Sequence, residues 1–237
     1  MQNPSLKLDR MRWRALVIWN MTGALILLSL FSPLTRPVWS ALDLYVFRFL
    51  NGSLDGHPNW QHFWAMANHK AADWVADLFI LGFYCLAVFK NPPKKRKEKI
   101  LQFLFCLLLT AITILVINRF MCRDILKLRR KSPSQVVPDA LNIAQLVPWI
   151  TFKANTSKSF PGDHATTALM FGFSYAYFVR GKLGIAAIIY GAFLCLPRLI
   201  VGAHWLSDVI VGSGVIVILS LSWALCSPLS KKLQLQN

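Results

Sequence analysis

ILQFLFCLLLTAITILVIN (Ile100–Asn118) runs for 19 residues without a charge. As a helix it covers about 28 Å at 1.5 Å per residue, close to the roughly 30 Å hydrocarbon layer of a bilayer. KKRKEK (Lys94–Lys99) stands directly before it, and Arg119 and Arg123 follow it. An apolar rod bounded by basic clusters reads as a membrane span. Two more uncharged runs reach the same length, Ala15–Thr35 and Val209–Ser230. Ala71–Phe89 is apolar apart from Asp73 and Asp77 near its start. Ala165–Val179 and Leu183–Pro197 are shorter and are separated only by Arg180, Gly181 and Lys182, whose charges can snorkel at the tip of an antiparallel helical hairpin. The expected architecture is all-α: one membrane-embedded domain over residues 1–237 with six transmembrane helices.

Composition agrees. Of 237 residues, 55% are hydrophobic and 15% charged, too apolar for an ordinary soluble domain. The net charge of +16 falls in short clusters between apolar runs and builds no basic-aromatic stripe, which argues for anionic lipid and against nucleic acid. The five cysteines, at 85, 106, 122, 195 and 226, have no CxxC spacing, so neither a disulfide framework nor a zinc site is expected. Ala15–Thr35 follows a basic stretch as a signal peptide would, but its length favours a retained helix.

Six spans put both termini on one side. Residues 1–14, 90–99, 180–182 and 231–232 hold 14 of the 26 Lys and Arg residues, and eight of the other 12 lie in the long loop from Arg119 to His164. The positive-inside rule therefore puts the termini in the cytoplasm and the long loop outside. Trp39, Leu42, Val46 and Phe49 recur at helical spacing between the first two spans, with Trp60, Trp64 and Trp74 beyond. That pattern suits a helix lying in the membrane interface beside an aromatic belt, or one packed on the bundle. His57, His62 and His69 read as interfacial or loop residues.

Three clusters carry the chemistry, and the layout brings them to one face. They are the basic stretch RDILKLRRKSP (Arg123–Pro133), SFPGDH (Ser159–His164), and Arg198 followed by His204 and Asp208. The i, i+4 spacing of His204 and Asp208 allows a carboxylate to orient the imidazole and leave its other nitrogen free to attack, although such a pair also occurs as a plain polar patch at a helix start. Arg198 supplies a planar donor for phosphate oxygens. A fixed cation there also argues against a divalent metal among Asp163, His164, His204 and Asp208. Gly162 permits close backbone approach at a helix N-terminus. Asp163 suits an N-cap or a partner of His164, and His164 suits a general acid. Arg123, Lys127, Arg130, Lys131, Ser159, Gly162 and Asp163 are candidate substrate contacts.

In this order the clusters resemble the type-2 phosphatidic acid phosphatase superfamily, whose pattern is Lys-x6-Arg-Pro, Pro-Ser-Gly-His and Ser-Arg-x5-His-x3-Asp. The match covers about residues 123–208. Arg198, His204 and Asp208 fall on the third motif, with Pro197 in place of serine. Pro161 and His164 fall on the second, with Gly162 and Asp163 replacing Ser-Gly. Arg130 fits the first, with Arg123 or Lys127 for its lysine and Lys131-Ser132 intervening before Pro133. The departures look like a branch that moves a phosphoryl group from undecaprenyl pyrophosphate to the 1-phosphate of lipid A at the periplasmic face of the bacterial inner membrane. The resemblance implies a phosphohistidine at His204, no cofactor and no metal, with both lipids as substrates. A lipid pyrophosphate phosphatase using water as acceptor is the alternative within that chemistry. An anionic-lipid binding or translocating protein is the alternative outside it.

Overall fold

The structure is a computed structural model that describes residues 11–152, 156–228 and 233. Lys7, Arg10, Lys231 and Lys232, counted above toward the inner side, lie outside the described residues, as does the end of the run Val209–Ser230.

Helices make up the described chain, joined by turns and a long loop. In chain order they are α1 (Trp13–Phe31), α2 (Arg36–Gly52), α3 (Pro58–Ala67), α4 (Lys70–Phe89) and α5 (Pro93–Ile112), which continues in π-helical turns (Thr113–Ile125). The short α6 (Pro133–Val136) and α7 (Ile143–Leu146) lie in the loop. Then come α8 (Asp163–Val179), α9 (Gly181–Ile200) and α10, which opens in π-helical turns (Asp208–Ser213) and ends at Cys226. Proline at the first or second position starts α2, α3 and α5, where its missing N–H costs no hydrogen bond. The His69 side chain caps α4 by accepting from Ala71 N.

Among the described residues five helices are long and apolar enough to cross a membrane: Trp13–Phe31, Lys70–Phe89, Pro93–Ile125, Gly181–Ile200 and Asp208–Cys226. The protein is thus a multi-pass membrane protein. The expected fourth span, α8, is 17 residues long, with many of its residues buried in the bundle. α10 is the central helix, 61% buried, whereas α1 and α4 are 11% buried and present Val17, Leu25, Leu28, Leu78 and Phe79 outward. Apolar residues facing out are what lipid requires.

The α8–α9 hairpin forms as expected, turning at Arg180 and Gly181, both at positive φ. Small residues allow its helices to touch: a Cβ on Gly191 would lie 2.6 Å from the Ala168 carbonyl oxygen, and one on Gly172 would lie 3.1 Å from that of Ala187. Close backbone approach through glycine is a common way to pack helices where the surroundings are as apolar as the side chains.

Two helix ends, the buried face of α2 and the place of Trp64 differ from the sequence reading. The third span runs beyond Asn118 to Ile125, so Arg119 and Arg123 sit on the helix end and not in the loop. The fifth runs through Pro197 to Ile200, carrying Arg198 in its last turn, where a cation suits the helix dipole. In α2 the buried residues are Asp43, Phe47 and Asn51, while Val38, Leu42, Tyr45 and Phe49 face outward. The inward face is the polar one because it holds the loops. Asn51 accepts from Leu141 N at 2.7 Å and donates to the Leu141 and Ile200 carbonyls. Trp64, expected in an aromatic belt, is instead buried with Ile143, Val147 and Ile200.

Candidate active site

One end of the bundle holds a cavity of about 390 Å³. Its charged residues and histidines come from five places: Lys70 and Asp73 at the start of α4, Arg123 at the end of α5, Lys158 in the loop, Asp163 and His164 at the start of α8, and Arg198 and His204 around the end of α9. The π-helical turns carry Arg123 on one side and Asp208 on the other, and such turns occur often at functional sites.

His204 sits in the turn between α9 and α10. Gly202, at φ +74°, shapes this turn, and its Cα faces Phe47 and the Ser134 backbone with no room for a Cβ. The imidazole packs on Gly162, where a Cβ would come within 3.2 Å of His204 Cε1. Its Nδ1 lies 2.7 Å from the Ser159 carbonyl oxygen. A carbonyl only accepts, so Nδ1 carries the proton and the lone pair of the neutral ring is on Nε2. Asp208 Oδ2 is 4.0 Å from Nδ1, beyond hydrogen-bond reach. The expected carboxylate contact is therefore electrostatic, and the orienting bond comes from a backbone carbonyl.

Asp208 is fully buried and has other partners. Oδ2 accepts from Trp205 N at 2.8 Å, the reciprocal half of a capping box that pins the start of α10. Oδ1 accepts from Arg130 at 2.7 Å. The other arm of the same guanidinium reaches Asp43 at 2.7 Å, and Asp43 in turn accepts from Ser207 N and Oγ. The Arg130 backbone pairs with the 158–159 segment, its carbonyl accepting from Ser159 N and Oγ. Arg130 therefore supports His204 from both sides, through Asp208 and through Ser159, and lies outside the cavity lining. The Ser159 side chain is buried and faces Arg130. Lys127 and Lys131 are likewise outside the cavity, both on exposed backbone.

Asp163 does not cap α8; that position belongs to Gly162. Its carboxylate accepts two bonds of 2.9 Å from Arg123 and one of 3.1 Å from Asn118, with Arg119 at 3.6 Å. Arg198 donates to Asn68 Oδ1 at 3.2 Å, to both Asp73 oxygens at 3.3 Å and to His164 Nε2 at 3.3 Å. Asp73 also stands 3.9 Å from His164 Nδ1. Each carboxylate lining the cavity is thus engaged by a guanidinium.

Sequence reading missed Lys70, Asn68, Lys158 and above all Asp73. A signal for Asp73 existed: a carboxylate in the first turn of an otherwise apolar span is a candidate site residue by default.

Burial holds the His204 imidazole below the ordinary histidine range, and the opposing pull of Asp208 and the Ser159 carbonyl does not offset it. A lowered pKa keeps the ring neutral, with the Nε2 lone pair available, into more acidic solution. The acidic limb of kcat/KM, which falls as pH drops and His204 protonates, is expected below the free-histidine value of 6.5. A pH profile with that limb above neutrality would contradict this.

The family model of the PAP2 superfamily matches residues 99–231. Lipid A 1-diphosphate synthase of Escherichia coli (strain K12) is 31% identical over 222 residues, covering 92% of this chain and 90% of that protein. No solved structure matches. Arg123, His164, Arg198 and His204, which line the cavity, all lie within the matched residues, and the match takes in more than half of the sequence. The chain belongs to the PAP2 superfamily and is an enzyme of the lipid phosphotransferase and phosphatase kind.

Proposed function

We propose that the protein transfers the terminal phosphoryl group of undecaprenyl pyrophosphate to the 1-phosphate of lipid A through a phosphohistidine on His204. The observation that carries this reading is the His204 tautomer: with Nδ1–H committed to the Ser159 carbonyl, Nε2 is the nucleophile. The name of the 31% identical relative supports lipid A as acceptor, and the donor rests on the motif resemblance.

In the first step Nε2 attacks the terminal phosphorus in line, the bridging P–O bond breaks, and His164 gives a proton to the departing undecaprenyl phosphate. Asp208, 4.0 Å away, stabilises the charge that develops on the His204 ring. Arg198, Arg123, Lys70 and Lys158 offset the phosphoryl charge, since such transfer depends mainly on positioning and electrostatics. Arg198 can only donate, so its bond to His164 Nε2 occupies that lone pair. A phosphate oxygen that takes over Arg198 frees His164 Nε2 to hold a proton. In the second step an oxygen of the lipid A 1-phosphate attacks the phosphorus, His164 takes its proton, and the P–N bond breaks to return the lone pair to His204 Nε2. No step calls for a metal ion.

For the membrane arrangement we infer six crossings, α8 included, with both termini cytoplasmic, the site periplasmic in the inner membrane, and α2 at the interface. Arg12 N donates to the Cys226 carbonyl at 3.0 Å, which sets the start of α1 beside the end of α10 and supports an even number of crossings. α5 supports the sidedness: Lys94–Lys99 lies at one end of it and Arg123 at the other.

Purified enzyme given undecaprenyl pyrophosphate labelled in its terminal phosphate, with lipid A present and a chelator added, is expected to move the label to lipid A. Release only as inorganic phosphate would assign water as the acceptor. Loss of turnover on chelation, restored by a divalent ion, would overturn the metal-free scheme.

A further inference from the structure

A second basic cavity, of about 310 Å³, lies between the end of α1, the start of α2 and the segment after α5. It shares no lining residue with the active-site cavity. Arg36, Arg129 and Arg130 supply its charge, and Asp43 is the acidic residue in its lining. Asp43 is already paired with Arg130 at 2.7 Å, and the other arm of Arg130 is held by Asp208. Arg36 and Arg129 differ. Both are exposed, and neither side chain has a hydrogen-bond or ion-pair partner among the described residues. Two free guanidiniums thus border a cavity whose one carboxylate among the described residues, Asp43, is neutralised.

Apart from Ser40 the remaining wall is apolar or aromatic, with Leu30, Phe31, Trp39, Leu128 and Phe160. Phe31 ends α1, and Leu25, Leu28 and Phe31 are exposed at spacings of three, on one face of that span. The cavity therefore opens at the end of a lipid-facing track. Inorganic phosphate would use the arginines and leave the track bare; a lipid uses both.

We propose that this cavity binds the phosphate of an anionic membrane lipid, distinct from the lipid undergoing phosphoryl transfer, with the headgroup between Arg36 and Arg129 and the acyl chains along α1. The bound lipid joins the α1–α2 turn to the basic segment that supports His204. Because phosphatidylglycerol carries no terminal phosphomonoester, its binding here does not depend on the transferase reading.

The test uses the full chain in nanodiscs of equal parts phosphatidylcholine and phosphatidylglycerol, followed by native mass spectrometry of the lipid it retains. Wild type is expected to retain phosphatidylglycerol in preference to phosphatidylcholine. Arg36→Gln with Arg129→Gln is expected to reduce that retention about 10- to 30-fold. Arg36→Lys with Arg129→Lys should restore most of it, since charge and not a fork geometry is what the exposed site supplies. Millimolar inorganic phosphate should leave retention unchanged. Equal retention of the two lipids by wild type, or unchanged retention in the double glutamine variant, would overturn the proposal. Displacement by inorganic phosphate would assign the cavity to the free ion and would overturn it too.

Discussion

His204→Ala is expected to lower phosphoryl transfer by at least about 10⁴-fold, the scale on which removal of a covalent nucleophile acts. Substrate binding should change little, because Arg123, Arg198, Lys70 and Lys158 all remain around the cavity. The fold should survive as well. The turn that carries residue 204 is held independently by Asp208 on the Trp205 amide and by Arg130 on Asp208. No neighbour can take over, since the cavity carboxylates Asp73 and Asp163 are held in ion pairs and His164 Nε2 holds the proton for the leaving group. Initial rates and saturation curves on the reconstituted variant check this. Transfer near the wild-type rate would remove His204 from the chemistry and leave a lipid binder or a different nucleophile.

Arg198→Ala is expected to cost on the order of 10² to 10³ in kcat, comparable to removing a preorganised donor to a developing charge. Lysine at this position should recover little. The guanidinium spans Asn68, Asp73 and His164 at once, at 3.2 to 3.3 Å, and a single ammonium cannot hold three partners in that plane. A drop in kcat with KM nearly unchanged is the expected signature, because the contact strengthens as charge builds on the transferring group. A rise in KM alone would make Arg198 a binding residue without a part in the transition state.

The apolar runs made most of the helices legible, because bilayer thickness sets a length that composition alone reveals. Their ends were less so. α5 gains its extra turns from Asn118, Arg119 and Arg123, which all reach Asp163, a residue on another helix and absent from any local pattern. His204, Arg198 and His164 could be picked out because histidine and arginine beside an apolar run are chemically conspicuous. The group that orients His204 could not, since a backbone carbonyl at Ser159 carries no sequence signature. Its fit to the first family motif makes Arg130 a candidate phosphate contact. Its partner Asp43 lies 87 residues earlier, and only the folded chain brings the two within 2.7 Å. Asp73 was visible as a charge in a span, yet its tie to Arg198 depends on how α4 packs beside the end of α9.

Covalent catalysis by His204 is tested most directly by trapping the intermediate. Enzyme incubated with undecaprenyl pyrophosphate labelled in its terminal phosphate, without an acceptor lipid, is quenched in alkali, digested and mapped by mass spectrometry. A phosphoryl label on His204, stable to base, lost in acid and absent from His204→Ala, is the expected result. Turnover without any label on the protein, or a label on a different side chain, would contradict it.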